Sequence, residues 1–313
     1  MPSLVGSEMC IRDRYQVKRV SRSEFVPIRN LTYHVQVWGE PAPGKVPLVM
    51  VHGWMDVAAS YQFVVDAFAQ NHYIIAPDWR GYGKTPAGDA DNFWFPDYLA
   101  DLDFLLDHYA PGQPVNLVGH SMGGNVVMLY GGVRPERIRR LVNLEGFGLP
   151  ATRPAQAPGR YASWMDELKK LHAGEMDLKA YDSADGVARR LMKTNPRLGQ
   201  DKADWLARHW AAETAEGQWA IQGHAAHKVT NAQLYRVDEV QALYQRLTMP
   251  VLAVEASDNS LEMWWKGKFT LAEYHERLKV VPQVEIARID NAGHMMHHDQ
   301  PDVLAALIER FIA

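Results

Sequence analysis

The stretch Asn116-Leu-Val-Gly-His-Ser-Met-Gly-Gly-Asn125 joins an apolar run to a helical pattern, with the sequence G-x-S-x-G at the junction. A serine on a sharp strand-to-helix turn has strained backbone angles, and Gly119 and Gly123 remove side chains that would clash there. The N-terminus of the following helix points backbone N–H groups at the serine, where they can stabilise an oxyanion. The stretch therefore predicts a nucleophile elbow with Ser121 as nucleophile; the alternative is a glycine-rich turn with a capping serine.

Strand-like and helical patterns alternate on both sides of this elbow. Apolar runs typical of strands buried on both faces occupy residues 46–51 and 73–76, and further strand patterns occupy residues 114–118, 138–144, 251–255 and 284–289. Residues 24–28 and 31–38 are rich in β-formers and predict an antiparallel hairpin at a sheet edge. The pattern predicts an α/β fold with a mostly parallel central sheet and helices on both faces. Ligands bind at the carboxyl ends of such strands, where His52-Gly53, Ser121 and Glu145 all fall.

Strand patterns disappear over residues 147–247, which we interpret as a helical cap inserted after the sixth strand, with residues 16–146 and 248–313 forming the core. Tryptophans in this cap would either shape an apolar pocket or pack the cap on the core. They are Trp164, Trp205, Trp210 and Trp219.

Composition limits the class of protein. The 313 residues are 47% hydrophobic and 22% charged with a formal net charge of −4, which gives no reason to expect nucleic acid or membrane as a partner. The single cysteine, Cys10, excludes an internal disulfide, and we expect a cytoplasmic protein. Residues 1–15 lack a signal-peptide pattern, and residues 7–14 resemble translated sequencing-adapter DNA. We expect this segment to be a non-native or disordered tail.

From residue 31 to 313 the chain resembles the α/β-hydrolase family, through His52-Gly53, Gly119-His-Ser-Met-Gly123 and Gly293-His294. Within the family, His52-Gly-Trp-Met-Asp56 and residues 95–101 and 119–125 are similar to the serine-hydrolase-like proteins.

This resemblance implies that Ser121 is the nucleophile and His294 the general base. It also implies an oxyanion hole formed by the backbone N–H groups of Trp54 and Met122, and substrate contacts by Trp54 and His120. We interpret the neighbouring His297 and His298 as surface or pocket-rim residues. The resemblance implies no metal and no organic cofactor.

Two residues compete for the acid of the triad. Asp258 lies after the seventh strand, near the usual position in the family, although the spacing is one residue short. Glu145 ends the sixth strand and resembles the acid of those haloalkane dehalogenases that place their carboxylate there. Either one could accept from the histidine Nδ1–H, and the sequence leaves both open.

The function expected from these residues is hydrolysis of a carboxylic ester of a small to medium, largely apolar substrate through an acyl-serine. Cleavage of a C–C or amide bond by the same triad is an alternative. Another is a ligand-binding protein of this fold with slow or no turnover. An aspartate nucleophile, as in epoxide hydrolases and haloalkane dehalogenases, disagrees with Ser121.

Overall fold

The apolar runs of the sequence form the strands of one large sheet in the computed structural model, which describes residues 14–313. In chain order the strands are β1 (Arg22–Ile28), β2 (Leu31–Trp38), β3 (Leu48–Val51), β4 (Ile74–Pro77), β5 (Val115–His120), β6 (Ile138–Leu144), β7 (Ala180–Tyr181), β8 (Ala211–Glu213), β9 (Trp219–Ile221), β10 (Val251–Ala256) and β11 (Val284–Ile289). Eight of them form the central sheet, in the order β1-β2-β4-β3-β5-β6-β10-β11.

The pairing within this sheet is mostly parallel. The hairpin of β1 and β2 is antiparallel and forms one edge, and β2 also pairs antiparallel with β4. All other neighbours, from β4 across to β11, pair in parallel. The predicted edge hairpin and the predicted parallel sheet are both confirmed.

Helices cover both faces of the sheet. They are α1 (Gln62–Ala67), α2 (Phe95–Tyr109), α3 (Met122–Val133), α4 (Ala157–His172), α5 (Ala184–Thr194), α6 (Gln200–Trp210), α7 (Val237–Tyr244), α8 (Leu261–Trp265), α9 (Leu271–Leu278), α10 (Met296–Asp299) and α11 (Pro301–Ile312). Leu102 of α2 and Val126 of α3 belong to the apolar core on one face of the sheet. Val64 of α1 and Leu304 of α11 belong to the core on the other face. The doubly covered sheet of the sequence prediction is therefore confirmed.

The segment between β6 and β10 is not purely helical. Besides α4 to α7 it contains a three-stranded antiparallel sheet in the order β7-β9-β8. The sequence analysis missed these strands because each is only two or three residues long, too short to show alternation. We refer to residues 147–247 as the cap.

Tyr15, near the start of the described residues, contacts both the core and the cap. Its ring meets those of Phe63 and Trp205 edge-on at centroid distances of 4.9 and 5.5 Å. The last residue of the expected tail is therefore packed, and residues 1–13 of that tail lie outside the described part. Within residues 14–313, no helix combines the length and the apolar character needed to cross a bilayer.

Glycines allow the elbow to pack closely against the sheet. A Cβ on Gly123, in the first turn of α3, would lie 2.4 Å from the carbonyl oxygen of Val51 and 2.6 Å from that of His52. A Cβ on Gly119 would lie 2.3 Å from the carbonyl oxygen of Gly123. These clashes involve backbone atoms, which cannot move aside as a side chain can, so both positions require glycine.

We predict that Gly123→Ala lowers the free energy of unfolding by about 3 kcal/mol, because the helix would have to move away from β3. Gly159→Ala is the matched control, since Gly159 lies in α4 with no atom within 4 Å of its Cβ position. That substitution should raise stability by about 0.5–1 kcal/mol through helix propensity. Equal effects of the two changes in urea denaturation would contradict the close approach.

Candidate active site

Ser121 lies at the sharp turn between β5 and α3. Its φ of 53° and ψ of −114° place it in a region that non-glycine residues rarely adopt. The turn is held by the Ser121 N–H, which donates to the carbonyl oxygen of Leu144 at 2.8 Å, and by the Ser121 carbonyl, which accepts from Asn125 at 3.0 Å. The strained backbone that the sequence predicted is present, and it points to a functional constraint on this serine.

His294, in the loop after β11, connects Ser121 to a carboxylate. Its Nε2 lies 3.0 Å from Ser121 Oγ, and its Nδ1 lies 2.7 Å from Glu145 Oε2. Ser121 and His294 are partly buried, and the Glu145 side chain is fully buried. The three side chains form a continuous hydrogen-bonded line from a hydroxyl to a carboxylate.

Glu145 directly follows β6 and is held by several donors. Its Oε1 accepts from the backbone N–H of Ala256 at 3.1 Å, and its Oε2 accepts from Ser260 Oγ at 3.1 Å as well as from His294. Ser260 was not among the residues selected from the sequence, because no motif marks it. Since each carboxylate oxygen has a donor, Glu145 is fixed in the position to orient the imidazole.

Asp258, the other candidate acid, does not reach His294. Its side chain is 64% exposed, and its carboxylate forms a hydrogen-bonded ion pair with Arg197 of the cap. The backbone N–H of Asp258 donates to the carbonyl oxygen of Ala292. The structure therefore brings Glu145, and not Asp258, to the histidine.

The two groups expected to form the oxyanion hole flank Ser121. Met122 is the first residue of α3, where a backbone N–H has no acceptor within its own helix. Trp54 follows Gly53, at which a Cβ would lie only 3.0 Å from Ser121 Cβ. In residues 14–313 no backbone carbonyl accepts from the N–H of Trp54. Both N–H groups are therefore free to donate a hydrogen bond beside the serine.

Three histidines near the site differ from expectation. His120 is only 1% exposed, so it does not face a substrate; its Nε2 lies 2.7 Å from the carbonyl oxygen of His294 and positions that residue. Burial lowers the pKa of His120 well below its ordinary value, which keeps the ring neutral. His297 and His298, expected at the surface or rim, are 0% and 4% exposed because their rings pack against those of His120 and Phe63.

Aromatic stacking joins the cap to the core beside Trp54. The ring of His227, from the cap, is stacked between Tyr82 and Phe93 at centroid distances of 3.8 Å on each side. The indole N–H of Trp54 donates to the backbone carbonyl of His227 at 3.0 Å. Burial lowers the pKa of His227 to about 3, so the stack with Tyr82 and Phe93 favours the neutral ring.

Acid should therefore weaken the cap contact through His227. The unfolded residue takes up a proton as the pH falls through its ordinary pKa of 6.5, and the folded residue only near pH 3. Between these values unfolding binds a proton, so the free energy of unfolding falls as the pH is lowered, by up to about 1.4 kcal/mol per pH unit. His227→Phe keeps a ring in the stack and should remove the contribution of His227 to the pH dependence of the free energy of unfolding. Identical slopes in urea titrations of the two proteins would contradict the prediction.

Apolar side chains border the catalytic residues on the solvent side. Trp54 is 44% exposed, and Trp264 of α8 is 53% exposed with its ring 6.5 Å from that of His294. By contrast, Trp205, Trp210 and Trp219 pack against the separate apolar cluster that α5 and α6 form with Phe63. These two exposed rings therefore come from a core loop and from the core helix α8, whereas the three cap tryptophans pack in the cluster of α5 and α6.

Comparisons with known proteins agree with this architecture. A family model described as "alpha/beta hydrolase fold" matches residues 46–301. A "Serine hydrolase-like protein" of Danio rerio is 24% identical over 94% of this chain and 89% of its own length. A "2-hydroxymuconate semialdehyde hydrolase" of Pseudomonas sp. strain CF600 is 31% identical over 44% of this chain and 48% of its own length. The solved structure "Thioesterase Domain From Curacin Biosynthetic Pathway" superposes with a TM-score of 0.80 at 20% identity, covering 93% of this chain and 99% of that one.

Proposed function

The chain belongs to the α/β-hydrolase family, and on that premise we propose that it is a serine hydrolase that cleaves a carboxylic ester through an acyl-serine intermediate. The observation that carries the proposal is the hydrogen-bonded line from Ser121 through His294 to Glu145, with distances of 3.0 and 2.7 Å. Named relatives that act as hydrolases support hydrolysis in general, and the choice of an ester bond is ours.

The proposed reaction begins when Ser121 Oγ attacks the ester carbonyl while His294 Nε2 takes the hydroxyl proton. Glu145 accepts from Nδ1–H, which holds the tautomer whose Nε2 is unprotonated and then stabilises the imidazolium. The negative charge on the carbonyl oxygen is stabilised by the N–H groups of Trp54 and Met122.

Collapse of this intermediate breaks the bond to the alcohol, which receives the proton from His294 and departs. Water, deprotonated in turn by His294, then attacks the acyl-serine and releases the acid. His294 passes the water proton to Ser121 Oγ, where it replaces the proton that left with the alcohol, so the cycle consumes only ester and water.

The exposed rings of Trp54 and Trp264 favour an apolar group on the substrate, since aromatic faces beside the reacting atoms gain most from covering apolar surface. The proposed substrate is thus a small to medium ester with an aromatic or medium-chain acyl group. We infer that the protein acts on this small molecule, and we propose neither nucleic acid nor a membrane as a partner.

A panel of p-nitrophenyl esters of increasing acyl length tests this function, with Ser121→Ala as the blank. We expect kcat/KM for the benzoyl or hexanoyl ester to exceed that for the acetyl ester by about tenfold, which corresponds to about 1.4 kcal/mol of extra apolar contact. A preference for acetate throughout would contradict the apolar-acyl proposal. Labelling of Ser121 by a fluorophosphonate without turnover of any ester would favour a ligand-binding protein.

Cleavage of a C–C bond is the second candidate, and the 31% identity to the semialdehyde hydrolase over 145 residues favours it. The same serine, histidine and acid can serve different bonds, because the fold does not fix the reaction. Assay with 2-hydroxymuconate semialdehyde beside the esters separates the two: faster turnover of the semialdehyde would replace the ester proposal.

A further inference from the structure

Three buried side chains converge directly behind the elbow. Asp56 follows β3, His120 is the last residue of β5, and His297 lies in α10. They are 3%, 1% and 0% exposed, and one ligand atom from each lies within 4.8 Å of the other two. Three separate parts of the chain therefore bring two imidazoles and a carboxylate to one enclosed point.

Each of the three side chains has at least one buried nitrogen or oxygen atom without a hydrogen-bond partner. A carbonyl oxygen only accepts, so His120 must donate from Nε2 to His294, and its Nδ1 then carries a free lone pair. Oδ1 of Asp56 accepts from Ser60 and from the indole N–H of Trp210. Within the described residues, His120 Nδ1, Asp56 Oδ2 and both ring nitrogens of His297 have no hydrogen-bond partner.

The buried carboxylate of Asp56 also requires a positively charged partner. In residues 14–313 no lysine or arginine pairs with Asp56, and the ionisable side chain within 4 Å of its carboxylate is His297, whose Nε2 lies 3.6 Å from Oδ2. A buried carboxylate without a counter-charge and a set of buried lone pairs without donors are both costly. A cation bound among them would satisfy Asp56 Oδ2, His120 Nδ1 and one ring nitrogen of His297 together.

The donor set fits a divalent transition metal. Imidazole nitrogens with one carboxylate oxygen are common ligands of Zn²⁺, at about 2.0–2.2 Å from the ion. Two such ligands in tetrahedral geometry lie about 3.4 Å apart, close to the 3.6 Å between His297 and Asp56. The bonds from His120 to the His294 carbonyl and from Ser60 and Trp210 to Asp56 are the outer contacts that orient metal ligands.

We propose that Asp56, His120 and His297 form a buried structural site for one divalent transition metal ion, with Zn²⁺ as the representative ion. The ion would hold together the loop that bears Trp54, the strand that ends directly before Ser121 and the helix that follows His294. It does not touch the substrate. The site does not depend on the proposed ester hydrolysis, and either proposal can fail without the other.

Metal content after chelator treatment tests the site. Full-length protein is produced with added Zn²⁺, incubated with a chelator and separated from it by gel filtration. The protein should retain one Zn²⁺ per chain, because an enclosed ion exchanges slowly. Asp56→Asn and His297→Gln should each lose the retained ion. His294→Ala should keep it, which separates the site from the triad. His275→Gln should also keep it, since it removes only a more exposed histidine paired with Glu255.

Wild-type protein supplies a second test that does not require the variants to fold. Refolding with Co²⁺ in place of Zn²⁺ should give the strong visible absorption of a four-coordinate site, with the three side chains and one water as ligands. Zn²⁺ at about 100 times its Kd should raise Tm by about 5 °C. Absence of retained metal in wild-type protein, together with an unchanged Tm, overturns the proposal and leaves the cluster as a group of buried polar side chains without a metal. Retention by all variants overturns it too, because the metal would then lie elsewhere.

Discussion

Ser121→Ala should lower ester turnover by about 10⁴- to 10⁶-fold and abolish labelling by a fluorophosphonate, while the protein stays folded. The loss is large because the covalent route ends when the hydroxyl is removed, and water would have to attack the ester directly. Only the contribution of binding and of the N–H groups of Trp54 and Met122 would then remain.

The control for this experiment is Ser163→Ala, which changes an exposed serine of the cap helix α4. It should keep both turnover and labelling, with the adduct located at Ser121 by mass spectrometry. If Ser121→Ala protein of unchanged circular dichroism still hydrolysed esters at a rate near that of the wild type, Ser121 would not be the nucleophile.

Glu145→Gln should lower kcat by about 10⁴-fold, whereas Asp258→Asn should change it by less than about fivefold. A glutamine amide at this position donates to Nδ1 as readily as it accepts. It therefore permits the tautomer whose Nε2 carries a proton and cannot take one from Ser121. Asp258 is exposed and paired with Arg197, and exposed ion pairs contribute little.

Steady-state kinetics on both variants, with thermal unfolding to confirm the fold, makes this comparison. Because Gln has nearly the volume of Glu, the Ser260 and Ala256 donors keep a possible acceptor in the variant. A large loss from Asp258→Asn with normal activity in Glu145→Gln would reverse the assignment, and small losses from both would remove the carboxylate from the mechanism.

Much of the site could be anticipated from sequence because its signals are local. Gly119, Ser121 and Gly123 lie within five residues, and the contacts that require glycine there involve the elbow itself and the adjacent strand. Gly293-His294 follows a strand whose apolar pattern is visible in the sequence. The interpretation of His297 and His298 as rim residues was wrong, because a four-residue helix has no periodicity from which to infer its buried side.

The sequence alone determined the sheet, the elbow and the short set of residues at the carboxyl ends of the strands, because apolar periodicity and glycine turns are properties of neighbouring residues. Only the tertiary structure shows that Glu145, and not Asp258, lies beside His294, since Glu145 and His294 are 149 positions apart and meet only when β6 and β11 are placed in the sheet. The same holds for Asp56, His120 and His297. Their convergence depends on how three distant segments pack, and no local pattern encodes the distances between them.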